Sequence, residues 1–271
     1  MKQVMTNLPC SEQAFDSSQM VNTCSLEESL NKATSLSTHS SFSGVVMLAC
    51  LFGRNLTHLH RPNANDNESD MNGDFWKRHR LIDNILLNTS LGLPDHLRLP
   101  AGMTDPNVVF LNMCLHSATI CLHQAAIFKA DKNNLGANIS NESKVRCITA
   151  ATEIASYMRM ISHIELSTVW QMFRTCTHRI FLKANVTQMN PFISFCLYVA
   201  ARVFVQYLRS RPREQQIRSS LQFLLGAMQA LRRKNPLTES FIAQLDVDIE
   251  SSGVEGLRTD TQTFRVCALN A

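Results

Sequence analysis

Residues Asn107–Lys129, NVVFLNMCLHSATICLHQAAIFK, decide the fold class. Leu111, Leu115, Ala118, Leu122 and Ala125 recur at steps of three and four, which places one apolar stripe along an α-helix. Asp105-Pro106 just before the stretch supplies a cap and a proline suited to a first helical turn. The polar run Asp131–Asn141 closes it as a loop.

Similar patterns extend in both directions. Toward the C-terminus, helices are expected over Glu142–Ser162 and from about Thr168 to Phe181. In the first, Val145, Ile148, Ala151, Ala155, Met158 and Ile161 face inward. The second carries Val169, Met172, Phe173, Cys176 and Ile180. A helix opening at Asn190-Pro191 is apolar nearly all round up to Arg209 and belongs at the centre of the array. Phe192–Leu208 is the stretch nearest to a membrane span. It is broken by Arg202 and Gln206 and is shorter than the roughly 20 apolar residues a bilayer needs. Glu214–Arg233 follows, with Ile217, Leu221, Leu224, Met228 and Leu231 inward, and Asn235-Pro236 stops it. Thr238 is the expected N-cap of a last helix carrying Phe241 and Leu245. Residues 251–271 read as a tail.

Toward the N-terminus, Phe75–Asn88 reads as a helix with Leu81, Ile85 and Asn88 on one side, ended by Gly92-Leu93-Pro94. Leu97, Leu99 and Pro100 then form a loop that crosses apolar surface. Arg61–Asp74 is a polar surface loop, and a helical pattern starts near Phe42. Residues 1–40 are rich in Ser, Thr, Asn and Gln and bury too little to offset their ordering, so a disordered segment is expected there. The fold class is all-α: six or seven helices in an irregular array over residues 41–250, after a disordered N-terminal segment. Leu111, Leu115, Leu122, Phe195, Val199 and Leu224 are the expected core. The scarcity of glycine (9) and proline (8) agrees, because a turn-rich β protein needs more of both.

Function classes narrow by elimination. A net charge of +4 spread along the chain is no dense phosphate-binding stripe. The nine cysteines are odd in number, irregularly spaced and mostly inside apolar runs, which suits buried thiols in a reducing compartment. Cys114/Cys121 and His116/His123 are each seven apart. That is two helical turns, about 10 Å, too far for one ion with ligand bonds of roughly 2 Å, so no metal is expected. No Cys-x-x-Cys pair, phosphate-cradling glycine loop or Gly-x-Ser-x-Gly elbow occurs, so neither cofactor nor enzyme activity is expected. Basic clusters stand at Lys77–Arg80, Arg209–Arg213 and Arg232–Lys234. The last two suit helix C-termini, where cations meet the dipole. The first follows Trp76 at a helix start and is the cluster expected to meet an acidic partner.

Several segments, taken in order, resemble one family. Asp74–Asp83, DFWKRHRLID, is similar to the W-x-x-H-x-x-x-D segment of the fungal-specific transcription factor domain, the middle homology region of binuclear zinc-cluster factors. Leu93–Pro100 resembles its leucine-proline loop. Asp105-Pro106-Asn107 with Phe110–His116 and Leu122–Lys129 resembles its central helix. Asn190-Pro191-Phe192 and Arg232–Phe241 resemble its C-terminal signature. The resemblance spans about residues 41–250. It implies a helical regulatory domain of a nuclear factor that controls transcription by RNA polymerase II.

In that family the domain follows a six-cysteine zinc cluster that reads DNA. Only Cys10 and Cys24 precede residue 41, so the chain is expected to be the C-terminal portion of a longer factor, without specific DNA binding of its own. Its expected partners are co-regulators, other segments of such a factor, or a small-molecule inducer, and no membrane. Two alternatives stand beside this reading. One is a truncated paralogue or gene fragment. The other is a small-molecule sensor or enzyme with a pocket between helices. The candidate pocket gathers Trp76, His79, Arg80, Asp83, His116 and His123. Trp76, His79 and Asp83 are spaced to share a helix face, and the simplest role for His79 and Asp83 is a hydrogen bond to each other.

Overall fold

A computed structural model describes residues 6–31, 39–61, 66–174, 190–232 and 235–253, with side chains of 163–174 outside the description. The described residues hold nine α-helices: α1 (Glu12–Asp16), α2 (Leu26–Asn31), α3 (Ser41–His60), α4 (Asp74–Gly92), α5 (Pro106–Lys132), α6 (Ala137–Arg174), α7 (Ile193–Ser210), α8 (Gln215–Arg232) and α9 (Leu237–Ser252). The only β-type pairing among them is an isolated bridge between Asn7 and Ser25. The fold is the all-α array read from the sequence.

Local chemistry sets the helix ends. Ser40 caps α3 by accepting from the Ser43 amide at 3.1 Å. Asp105 caps α5 through the Asn107 amide at 2.8 Å, and Pro106 fills the first turn, where a missing N–H costs nothing. Lys129 and Lys132 occupy its last turn, beside free carbonyls. Gly253 ends α9 in the left-handed region at φ 67°, open to glycine without steric cost.

Packing radiates from α5, which touches α3, α4, α6 and α7. On the other side α7 packs on α6, α8 and α9. The centre is therefore shared: α5 joins the N-terminal helices to the rest, and α7 gathers the C-terminal ones. Leu111, Leu115, Leu122, Val199 and Leu224 are all buried in one continuous core. Phe195 is only half-buried, because it sits in a partly open aromatic group with Phe52, Phe192 and Phe241. α3 and α5 have the length and apolarity of membrane spans. In α5 that apolarity is used inside the array, where Met113, Ala118 and Leu122 are fully enclosed.

Buried polar groups fix how the helices meet. Asn55 of α3 donates to the Ala118 carbonyl of α5 at 2.8 Å. Asn112 of α5 donates to the Leu97 carbonyl at 2.8 Å and holds the 93–100 loop against the core. Asn235 donates to the Pro191 carbonyl at 2.8 Å and to Ser194 Oγ at 3.1 Å, and Ser194 meets Thr238 at 2.7 Å. These bonds join the two segments of the C-terminal signature, about forty residues apart, at the start of α7 and α9.

Several sequence expectations give way. The break between 162 and 168 is absent: α6 runs unbroken, with neither glycine nor proline between Ala137 and Arg174 to interrupt it. Cys176 and Ile180 lie outside the described residues. On α4 the buried positions are Phe75, Trp76, His79, Ile82, Leu86 and Thr89, whereas Leu81 and Asn88 face outward. Two adjacent aromatic rings bury far more area than the leucines and set the rotation of the helix. Val145 of α6 is exposed, and Cys147 and Ile154 take the inward positions. Thr238 does not cap α9 but is buried within it. Pro236 is the N-cap residue, and Asn235 just before it accepts from the Leu237 amide at 3.2 Å. In the polar N-terminal segment, the described part carries the short α1 and α2 rather than being wholly without structure. It has little core of its own: Leu8 is buried against Met47 of α3.

Candidate functional site

Trp76 and His79 lie one turn apart on the buried face of α4. Trp76 is 2% exposed, and its indole N–H donates to the Glu68 carbonyl at 2.9 Å, so the preceding loop closes over it. The His79 ring meets Trp76 edge to face at 5.5 Å and His123 of α5 edge to face at 5.4 Å. His58 of α3 stacks on Phe75 at 4.6 Å and lies 6.0 Å from His79. Three buried imidazoles from three helices thus form one row.

The row ends on a carboxylate. His123 Nε2 lies 3.2 Å from Asp83 Oδ1, and His123 Nδ1 lies 3.3 Å from Ser143 Oγ of α6. Arg146 of α6 donates to Asp83 Oδ2 at 2.7 Å. Asp83 is therefore saturated by partners from α5 and α6. Its expected bond to His79 is not made: Asp83 turns toward His123 and Arg146, while His79 Nδ1 is buried without a hydrogen-bond partner among the described residues.

Burial drives the electrostatics. His79 is lowered to about 3, first by burial and then by the neighbouring His123 and His58. His58 is lowered to about 4 by burial, assisted by Arg78. Burial alone pushes Asp83 upward, but the His123 hydrogen bond and charge and the Arg146 bond outweigh it and bring the carboxyl down to about 2. His58 and His79 are thus neutral at physiological pH and the Asp83 carboxylate is ionised. The three rings are buried beside Trp76, and His123 at the end of the row orients Asp83.

On the far side of Asp83 the surface opens. α4 and α6 both lie on α5 without packing closely on each other, leaving a cleft of about 320 Å³. Leu86 and Leu87 form one wall, Leu115 and His116 the floor, and Arg146 and Ala150 the other wall. His116, lowered to about 4 by burial, meets the Tyr157 hydroxyl at 3.4 Å.

The candidate residues thus divide. Asp83 and His116 border the cleft, while Trp76, His79 and His123 form a closed block behind it. Arg80 takes no part: it points outward and donates to the Met71 carbonyl at 3.0 Å. Leu97 and His96 border a separate cleft beside His39. In the cluster Lys77–Arg80, Lys77 lies near Asp74 and Arg78 bonds to Asp66, while Arg80 bonds a backbone carbonyl. His58, Ser143, Arg146 and Tyr157 were missed by the sequence reading. Each joins the site from another helix, and only chain folding brings it there.

Among the described residues, no three His, Cys, Asp or Glu side chains gather as a metal site would require. Cys114, Cys147 and Cys196 are buried, and Cys10, Cys24, Cys50 and Cys121 half-buried, all unpaired by disulfides. Burial pushes the Cys121 and Cys147 thiols up to about 12. Cys267 lies outside the described residues.

No family model matches the chain, and no solved structure matches it. Characterised fungal proteins do. The pigment biosynthesis transcriptional activator pigB of Monascus ruber is 24% identical over 247 residues, covering 90% of this chain and 40% of that protein. The citrinin biosynthesis transcriptional activator ctnR of Monascus purpureus is 22% identical over 255 residues, 94% of this chain and 40% of its own length. The azaphilone cluster-specific transcription factor azaR of Aspergillus niger is 30% identical over 122 residues, 45% of this chain and 26% of that factor. The chain therefore spans about 40% of the length of the two Monascus relatives. Taken with the segments that resemble the middle homology region, these alignments make the chain a homologue of part of fungal transcription factors that activate biosynthesis.

Proposed function

We propose that residues 41–250 are a regulatory and interaction domain of a fungal transcription factor, active in the nucleus on transcription by RNA polymerase II. One observation carries this reading: the alignment along nine-tenths of the chain with transcriptional activators. The domain works by binding rather than by catalysis. Its partners are other segments of such a factor, co-regulators, or a small inducer. Asp83 and His116 supply the polar rim of a regulatory pocket, and Trp76, His79 and His123 hold that rim rigid from behind.

A chimera tests the proposal. The chain is fused to a heterologous DNA-binding module and scored on a reporter bearing that module's site, with nuclear imaging of the fusion. Reporter output that differs several-fold from the module alone, at equal protein abundance, is the expected result. Output identical to the module alone would remove the regulatory assignment.

A further inference from the structure

We propose that the cleft between α4 and α6 binds a small, mainly apolar molecule carrying one anionic oxygen, with Arg146 as its charge partner. The site is the pocket proposed above, so the biological meaning of the inference rests on that reading, whereas the binding itself does not.

Arg146 carries the argument. A guanidinium offers five N–H donors, and this one uses Nη2 on Asp83 Oδ2. Its other N–H groups bond to no acceptor among the described residues, and its side chain is one-third exposed at the cleft wall. Asp83 is satisfied at both oxygens, Oδ1 by His123 and Oδ2 by Arg146. The unmet capacity at this end of the cleft is therefore the donor capacity of the remaining Arg146 N–H groups, which an oxygen acceptor fills, most strongly when anionic, and an ammonium does not. Asp83 also holds the guanidinium in place before any ligand arrives, so little ordering remains to be done on binding.

The remaining surface sets size and polarity. Leu86, Leu87, Leu115 and Ala150 make the walls and floor mainly apolar. His116, kept neutral by burial, adds no charge. At about 320 Å³ the cleft stands at the small end of ligand pockets, which run from roughly 300 to 1,000 Å³. A one- or two-ring aromatic acid or enolate meets these demands.

The probe is 2-naphthoate, with the isosteric neutral 2-naphthamide beside it, titrated calorimetrically into the purified full chain. The acid is expected to bind once per chain and about tenfold more tightly than the amide, since a charge-assisted contact outweighs a neutral one. Arg146→Met should abolish the preference for the acid. A second variant guards against misfolding of the first: Thr149→Trp, at an exposed position on the cleft rim, should block both probes while leaving the circular dichroism spectrum and thermal midpoint unchanged. Absence of saturable binding, equal affinity for acid and amide, or an acid preference that survives Arg146→Met would each overturn the proposal. Binding as described with a silent reporter chimera would instead retain the ligand site and discard the regulatory role.

Discussion

Acid should unfold this domain early, and three buried histidines give the reason. In the fold His58 and His116 titrate at about 4 and His79 at about 3, against an ordinary 6.5. An unfolded chain takes up protons at these rings as soon as pH falls below the ordinary value, and the folded chain does not. The stability they contribute is therefore complete above 6.5 and drains as pH falls toward 4 and 3. One pKa unit is worth about 1.4 kcal/mol, so at about pH 5 each ring has lost roughly 2 kcal/mol and the three together roughly 6. Whole domains are stable by only about 5–15 kcal/mol. The surrounding charges act in both directions: Arg78 and Lys129 hold His58 down while Asp66 raises it, and Asp83 raises His79 while Arg80 lowers it. Asp83 leaves this window untouched. Its carboxyl is held at about 2 against an ordinary 3.8, so its contribution is lost only below that.

Urea unfolding followed by far-ultraviolet circular dichroism measures this directly. Between about pH 6 and pH 5 the unfolding free energy should fall at nearly three protons' worth, about 4 kcal/mol per pH unit. His79→Leu should remove about one-third of that slope, whatever it does to stability at neutral pH. Unfolding free energies that agree within about 1 kcal/mol at pH 7.5 and pH 5 would refute the neutral state of these three rings in the fold.

Four further outcomes follow from particular positions. Leu122→Ala, at a fully enclosed site on α5, should cost about 2–5 kcal/mol in urea unfolding, and an unchanged midpoint would displace α5 from the core. Gly102→Ala should lower the thermal midpoint, because its new Cβ would lie 2.5 Å from the His96 carbonyl oxygen and 2.6 Å from Val108 Cγ1. Gly53→Ala in α3, with nothing within 4 Å, should hold or raise it. Elemental analysis of chelator-free protein should find well under one zinc per chain, as no three His, Cys, Asp or Glu side chains gather among the described residues. Titration against a promoter-fragment library at physiological salt should show no sequence-selective shift, given the mild net charge of +4 and the absence of a six-cysteine run in the sequence.

The central helix was legible because its evidence is local. Asp105-Pro106 starts α5, and a stripe at three- and four-residue steps runs along it, so periodicity and capping agree. Errors arose where local signals compete. Ser162 and the polar residues after it look like a break, yet the helix continues through them, with no glycine or proline there to interrupt it. The orientation of α4 depended on weighing Phe75 and Trp76 against Leu81 and Ile85. Periodicity counts apolar residues alike, whereas burial weights them by area. Thr238 has a good capping side chain, but the helix starts before it, at Pro236 and Leu237, with Asn235 accepting from the Leu237 amide.

The site was legible only along α4. Spacing placed Trp76, His79 and Asp83 on one face, but it could not say what that face meets. Asp83 pairs with His123, 40 residues away, and with Arg146, 63 away, and no one-dimensional pattern records such distances. The consequence reaches function. An His79–Asp83 pair within one helix would have left Arg146 free to swing into solvent and the cleft without a fixed charge. Because α5 and α6 each claim one oxygen of Asp83, the carboxylate fixes the separation of α4 and α6 and the direction of the guanidinium at once. The ligand proposed for Arg146 would therefore act on a contact that joins three helices.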